Sequence, residues 1–276
     1  MDAHSAKNRH SLAESILFLN TPEAPKLPVF PYDVEAAEPG AALSETAFDV
    51  DDCSTQMSKI LVEHEAKLEQ SARIRQRALE EARKGNNITA IALFTHLIGI
   101  TPNSATDYNN RGLVYFQSNL LDQAIADYNR AIELNPQLDR VYNNRANYYA
   151  HQGQLEEAIL DYETAIDLNP HNARAWINQG ITFREMGHYS RALHCFEVAL
   201  NFRLLEGHIY AERGRTHHLS GDWNCAVSDY YTALQQLPLS CETINRRSGR
   251  LRLQVISWLD GLLTPLGIPS RAEISR

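Results

Sequence analysis

Between residues 71 and 240, apolar positions recur at the steps of three and four that keep one face of a helix out of water. Blocks of about fourteen such residues are broken by short stretches containing Gly, Asn or Pro, which predicts a run of short helices and no strands. The blocks are also copies of one another at a spacing of 34 residues. The clearest copy reads Tyr108, Asn109, Asn110, Arg111, Gly112, Tyr115, Ala124, Tyr128, Ala131 and Pro136. The same types return at Tyr142, Arg145, Ala146, Tyr149, Ala158, Tyr162, Ala165 and Pro170, then at Trp176, Gly180, Phe183, Ala192, Phe196 and Ala199. They return once more at Tyr210, Gly214, His217, Ala226, Tyr230, Ala233 and Pro238, and a degenerate copy precedes them with Ile74, Ala78, Ala90, Phe94 and Pro102. Five repeats follow without insertion: 71–104, 105–138, 139–172, 173–206 and 207–240.

Each repeated position has a physical role. Small residues at positions 8, 20 and 27 of the repeat let two helices approach closely, and aromatic residues at positions 4, 11 and 24 fill the space between them. Position 15 is Gly85, Asn119, Gly153, Gly187 and Gly221, the residue types that most readily end a helix in the left-handed conformation. Pro102, Pro136, Pro170 and Pro238 stand just past the second helix of their repeats, whereas Leu204 takes that place in the fourth, where a different ending is expected. Position 7 is Arg111, Arg145 and Arg213 in the three repeats whose position 23 is Asp127, Asp161 and Asp229, and the fourth repeat loses both, having Gln179 and Cys195, while the first departs from the pattern with Arg77 but Leu93. The joint loss predicts a structural Arg–Asp pair between the two helices of a repeat.

This ladder resembles the tetratricopeptide repeat family, over 170 of the 276 residues. The resemblance implies an all-α fold: a right-handed α-solenoid of helix-turn-helix units whose concave face is lined mainly by the first helix of each repeat. A solenoid buries each repeat against its neighbours and needs polar caps at both ends. Domain boundaries are expected accordingly. Residues 1–56 form a disordered tail, with five prolines between 22 and 39, the acidic run Asp49 to Asp52, and an apolar island from Leu12 to Leu19. The solenoid covers 57–240, starting with a helix over 57–84. A capping helix covers 241–263, made basic by Arg246, Arg247, Arg250 and Arg252, and 264–276 is a flexible end.

Charge sharpens that division. The net charge is −8, and residues 1–57 alone hold ten acidic and three basic side chains, leaving the solenoid nearly neutral. Nothing in this balance points to nucleic acid. No run of about 20 apolar residues is present to cross a bilayer and no leader pattern is seen, so a cytoplasmic protein without a membrane span is expected. The four cysteines lack C-x-x-C spacing and the eleven His form no metal motif, so neither metal nor cofactor is expected. No nucleophile–base spacing or phosphate loop occurs, and an enzyme is not expected.

The expected function is therefore a non-enzymatic scaffold or adaptor that holds a peptide or segment of a partner protein in the concave groove. Asn110, Asn144 and Asn178 place one amide per repeat there, with Asn109, Asn143 and Asn147 beside them, and this ladder is similar to the one in the repeat domain of O-linked N-acetylglucosamine transferases. Arg75, Arg140 and Arg174 would receive acidic groups. The carboxylate clamp of co-chaperones in the family is matched at only some positions, so chaperone tails are not expected ligands. The alternative is an assembly factor or stable subunit of a larger complex, such as photosynthetic or secretion machinery. It would dock a folded partner through its convex face or basic cap, with homo-oligomers possible.

Overall fold

The computed structural model describes residues 50–237 and 246–263. The expectations for the tail before residue 50, for Pro238 and residues 239–245, and for 264–276 lie outside the described residues. All described elements are helices. They are α1 (Val50–Lys84), α2 (Asn87–Ile100), α3 (Ala105–Gln117), α4 (Leu121–Leu134), α5 (Asp139–Gln152), α6 (Leu155–Leu168), α7 (Ala173–Glu185), α8 (Tyr189–Leu200), α9 (Glu206–Ser220), α10 (Trp223–Gln236) and α11 (Arg246–Leu263). The last turns of α1 and the helices α3, α5, α7 and α9 are the first helices of the five repeats.

The turn inside every repeat forms where the glycine and asparagine pattern places it. Gly85, Gly153, Gly187 and Gly221 have φ between 80° and 88°, and Asn119 has φ of 60°. A β-carbon is disfavoured there, which is why four of these five residues are glycine. Ser104, Asn172 and Asp222 cap α3, α7 and α10 by accepting the backbone N–H of Asp107, Ala175 and Cys225.

The core is a column of position-24 rings. Phe94, Tyr128, Tyr162, Phe196 and Tyr230 are each fully buried, as are Ala90, Ala124, Ala158, Ala192 and Ala226 at position 20. Each buried ring contributes about 1.5–3 kcal/mol. A β-carbon at Gly112, Gly180 or Gly214 would come within 2.9 Å of the ring opposite it, so close helix contact rests on these glycines. Of the aromatics at positions 4 and 11, Phe183 is buried as expected and the others differ. Tyr108, Tyr115, Tyr142 and Tyr149 are only partly buried, because they flank the position-7 arginine and its charge keeps that edge near water.

The ends depart from the expected boundaries. Helix α1 begins at Val50, so residues 50–56, placed in the tail by their acidic and polar character, are helical. Acidic residues favour the first turn of a helix, so the run that reads as the end of a tail is equally suited to a helix start. The fourth repeat lacks its proline, and α8 stops at Leu200, followed by Arg203 and Leu205 at φ of 53° and 59°. Helix α11 runs unbroken through Val255 and buries Leu251, Val255, Leu259 and Leu262 against Ala226, Tyr230, Ala233, Leu234 and Leu237. Arg252 donates to the carbonyl oxygens of Leu234 and Leu237, the final acceptors of α10, so this cap arginine is spent within the chain.

Candidate functional site

Successive first helices touch one another at every junction from α1 to α9 as well as packing on their own second helices, and no contact of that extent joins successive second helices. The first helices therefore crowd the inner side of the curve. Three kinds of polar link bind them together there.

At the first junction, Arg75 donates to both carboxylate oxygens of the fully buried Asp107, at 2.6 and 2.8 Å. Through the middle repeats runs a chain of amides. Asn144 donates to Asn109 Oδ1 at 2.8 Å, and Asn178 donates to Asn143 Oδ1 at 3.2 Å and Asn147 Oδ1 at 3.1 Å. Asn109 donates to Asn110 and Asn143 to Asn144, both at 3.5 Å. The Tyr162 hydroxyl closes the chain on Asn147 Oδ1 at 2.6 Å. At the junction of repeats four and five, Arg184 donates to Glu212 Oε2 at 2.6 Å, with both side chains nearly inaccessible. Glu212 is held below the usual carboxylate range by Arg184 despite its burial, and burial lowers the neighbouring His208.

The structure thus brings Asn109, Asn110, Asn143, Asn144, Asn147 and Asn178 together as one seam, every member at most 8% exposed. The amides expected to meet a peptide backbone are directed at each other across the repeat junctions. Only Asn178 Oδ1 is buried in the seam without a partner. Arg75 is likewise committed to Asp107.

Arg140 and Arg174 are placed differently. They line a cleft of about 350 Å³ at the N-terminal ends of α5 and α7, together with Asn143, His171, Leu204 and Leu205. Burial and then the charge of Arg140 hold Arg174 below the usual arginine range. Asp139 also borders the cleft, its carboxylate taking N–H bonds from Asn169 and Asn172. Two guanidiniums and two helix N-termini make this a place for negative charge. The two arginines were singled out in the sequence, and of the turn residues that complete the cleft only Leu204, at the missing proline, stood out there.

The position-7 arginines are structural. Arg111, Arg145 and Arg213 each make a two-pronged bond to Asp127, Asp161 and Asp229, at 2.7–2.9 Å. In the fourth repeat, Cys195 Sγ donates to Gln179 Oε1 at 3.4 Å instead, and burial pushes the Cys195 thiol up to about 12. Sequence motifs did not mark His217, Asp222 and Cys225, whose donor atoms lie within 4.8 Å of one another at the turn between α9 and α10. Asp222 is already engaged there as the α10 cap.

Among the described residues no helix is long and apolar enough to cross a membrane. Paired helices stacked in one direction, with a continuous inner face, define a helical repeat solenoid. Family models described as tetratricopeptide repeat match residues 105–138 and 140–172, and another covers 161–194. Residues 105–194 are thus tetratricopeptide repeats, of a family whose members in general mediate protein–protein contacts on a typically non-catalytic scaffold. No curated protein matches the chain in sequence. Among solved structures, it is similar to a thermophilic TPR protein of Thermus thermophilus, at 18% identity and a TM-score of 0.59, over 68% of this chain and 98% of that one. PilF of Pseudomonas aeruginosa aligns at 20% identity and a TM-score of 0.58, over 73% and 92% of the two chains. PilW, a type IV pilus biogenesis factor, gives 18% identity and a TM-score of 0.58, over 69% and 92%. At these identities the likeness is one of fold.

Proposed function

We propose that the protein is a non-enzymatic adaptor that holds an acidic, extended segment of a partner protein along its inner face. Arg140 and Arg174 receive the carboxylates of that segment, with Asn143 beside them, and the amide seam of Asn109, Asn110, Asn144, Asn147 and Asn178 forms the floor that sets the spacing. The observation that carries this reading is the arginine pair itself. Two like charges share one half-buried cleft, at a cost that an incoming carboxylate relieves. Asp139 offsets part of the charge, and its bonds to Asn169 and Asn172 hold it at the cleft wall.

The test is photo-crosslinking in the native cell from a photoreactive residue at His171, which borders the cleft, and at Leu160, exposed on the second helix α6. Adducts at His171 that disappear in the Arg140→Glu/Arg174→Glu variant are the expected result. Adducts confined to Leu160, or unchanged by the charge reversal, would sink the groove reading and favour docking through the outer face.

A further inference from the structure

The three repeats with an Arg–Asp pair show what the space between a first helix and its second helix is shaped to hold. Arg111 lies 5.6 Å from the ring centres of both Tyr108 and Tyr115, Arg145 lies 5.7 and 5.9 Å from Tyr142 and Tyr149, and Arg213 lies 5.2 Å from Tyr210. Beyond the aspartate, the guanidinium meets a group on the second helix of the preceding repeat. Arg111 donates to Thr95 Oγ1 at 3.1 Å and Arg145 to Asn129 Oδ1 at 2.9 Å, both at position 25. The slot therefore has aromatic walls at positions 4 and 11 and an acceptor at position 25 of the previous repeat.

The fourth repeat keeps the slot and omits its guanidinium. Its walls are Trp176 and Phe183, Gln179 and Cys195 replace the Arg–Asp pair, and position 25 of the preceding repeat is a carboxylate, Glu163. The result is an open cavity of about 500 Å³ between α6 and α8, floored by α7, with Asp167 as a second carboxylate at its edge. One guanidinium from another position lines the cavity: the exposed Arg191, on α8, lies 4.0 Å from the Phe183 ring centre. Trp176 also lines the cavity, and Glu163 and Asp167 outnumber Arg191 there. At about 100° per residue, Trp176 and Phe183 lie roughly 140–200° around α7 from Arg174 and Asn178, so this cavity is on the opposite side of α7 from the anion cleft.

We infer that the Trp176–Glu163 cavity is a second docking site, which takes an arginine side chain of a partner protein into the place that the chain's own arginine fills in repeats two, three and five. The entering guanidinium stacks on Trp176, as arginine does on an indole face, and donates to the carboxylates of Glu163 and Asp167. Its planar fork matches them where a lysine ammonium does not. This deepens the reading of the chain as an interaction protein but does not depend on what occupies the inner face. A partner with an acidic stretch and an exposed arginine would engage both sides of α7.

The experiment is an NMR titration of the full chain, following the indole N–H signal that disappears in Trp176→Phe. The probes are the capped tripeptide Gly-Arg-Gly and its Gly-Lys-Gly and Gly-Gln-Gly counterparts. A saturable shift with the arginine probe is expected, at least about fivefold tighter than with lysine or glutamine. Gln179→Arg/Cys195→Asp rebuilds the internal pair, and should raise the Tm while abolishing the shift. Glu163→Gln/Asp167→Asn changes only exposed side chains and should weaken binding with the Tm unaltered. Equal shifts from all three probes, or full binding by either double variant, would overturn the inference. Arg140→Glu/Arg174→Glu, which disables the inner cleft, should bind the arginine probe as the parent chain does, so that failure of the groove reading is separable from failure of this one.

Discussion

At the scale of single residues, the repeat isolates chemistry that other folds mix. The Arg145–Asp161 pair is two-pronged and mostly shielded, with side chains 21% and 10% exposed, so its coupling should exceed that of a surface pair. A double-mutant cycle of Arg145→Ala and Asp161→Ala in urea unfolding should give about 1–3 kcal/mol, and a coupling near zero would remove its structural role. Arg203 is exposed and sits at a φ of 53°, conditions in which a side chain contributes strain and little contact. Arg203→Gly should therefore stabilise by about 0.5–1 kcal/mol, read as a raised urea midpoint at unchanged slope. Residue types announced the Arg–Asp pairs because repeat four lacks both members together, at Gln179 and Cys195. The missing proline at Leu204 announced a different ending of repeat four but not the left-handed residues Arg203 and Leu205, because neither is a residue type that favours that conformation.

At the scale of helices, the link between α7 and α9 depends on one buried ion pair. Removing the Glu212 charge leaves Arg184 buried without its counter-ion, and Glu212→Gln should cost about 3–5 kcal/mol in urea unfolding. The same junction sets a pH response. His208 is lowered by burial in the folded chain, so between its folded value and about 6.5 the unfolded chain binds the extra proton, and stability falls as pH drops through that window. His218, lowered by desolvation and Arg215, acts in the same direction. Glu212 is lowered too, so its contribution is held above the unfolded value near 4.3 and lost only in more acid solution. The urea midpoint should fall between pH 7.5 and 5.5, and His208→Asn should flatten that part of the curve. The asparagines were legible as a ladder, but their direction was not. An amide suited to a ligand backbone is equally suited to another amide 35 residues away.

At the scale of the whole molecule, stability is passed from repeat to repeat, and the last one rests on α11. Truncation after residue 240 would expose Leu234, Leu237 and the Tyr230 ring that packs 5.9 Å from Trp258. Hydrogen exchange should then quicken in α9 and α10 while α3 to α6 keep their protection. Uniform loss of protection would show that the solenoid unfolds as one unit.

The sequence by itself determined the helix-turn-helix period, the turn at each position 15, the buried ring at each position 24 and the bridging Arg–Asp pairs. These are contacts within one repeat or with the next copy, so a fixed register of 34 residues specifies them. Only the tertiary structure decided that the amides join into a seam, that Arg140 and Arg174 share one cleft, and that repeat four leaves an arginine-shaped space beside Glu163. Each of these depends on how far one repeat is rotated and shifted against the next, a geometry set by the summed packing of many side chains and carried by no single position.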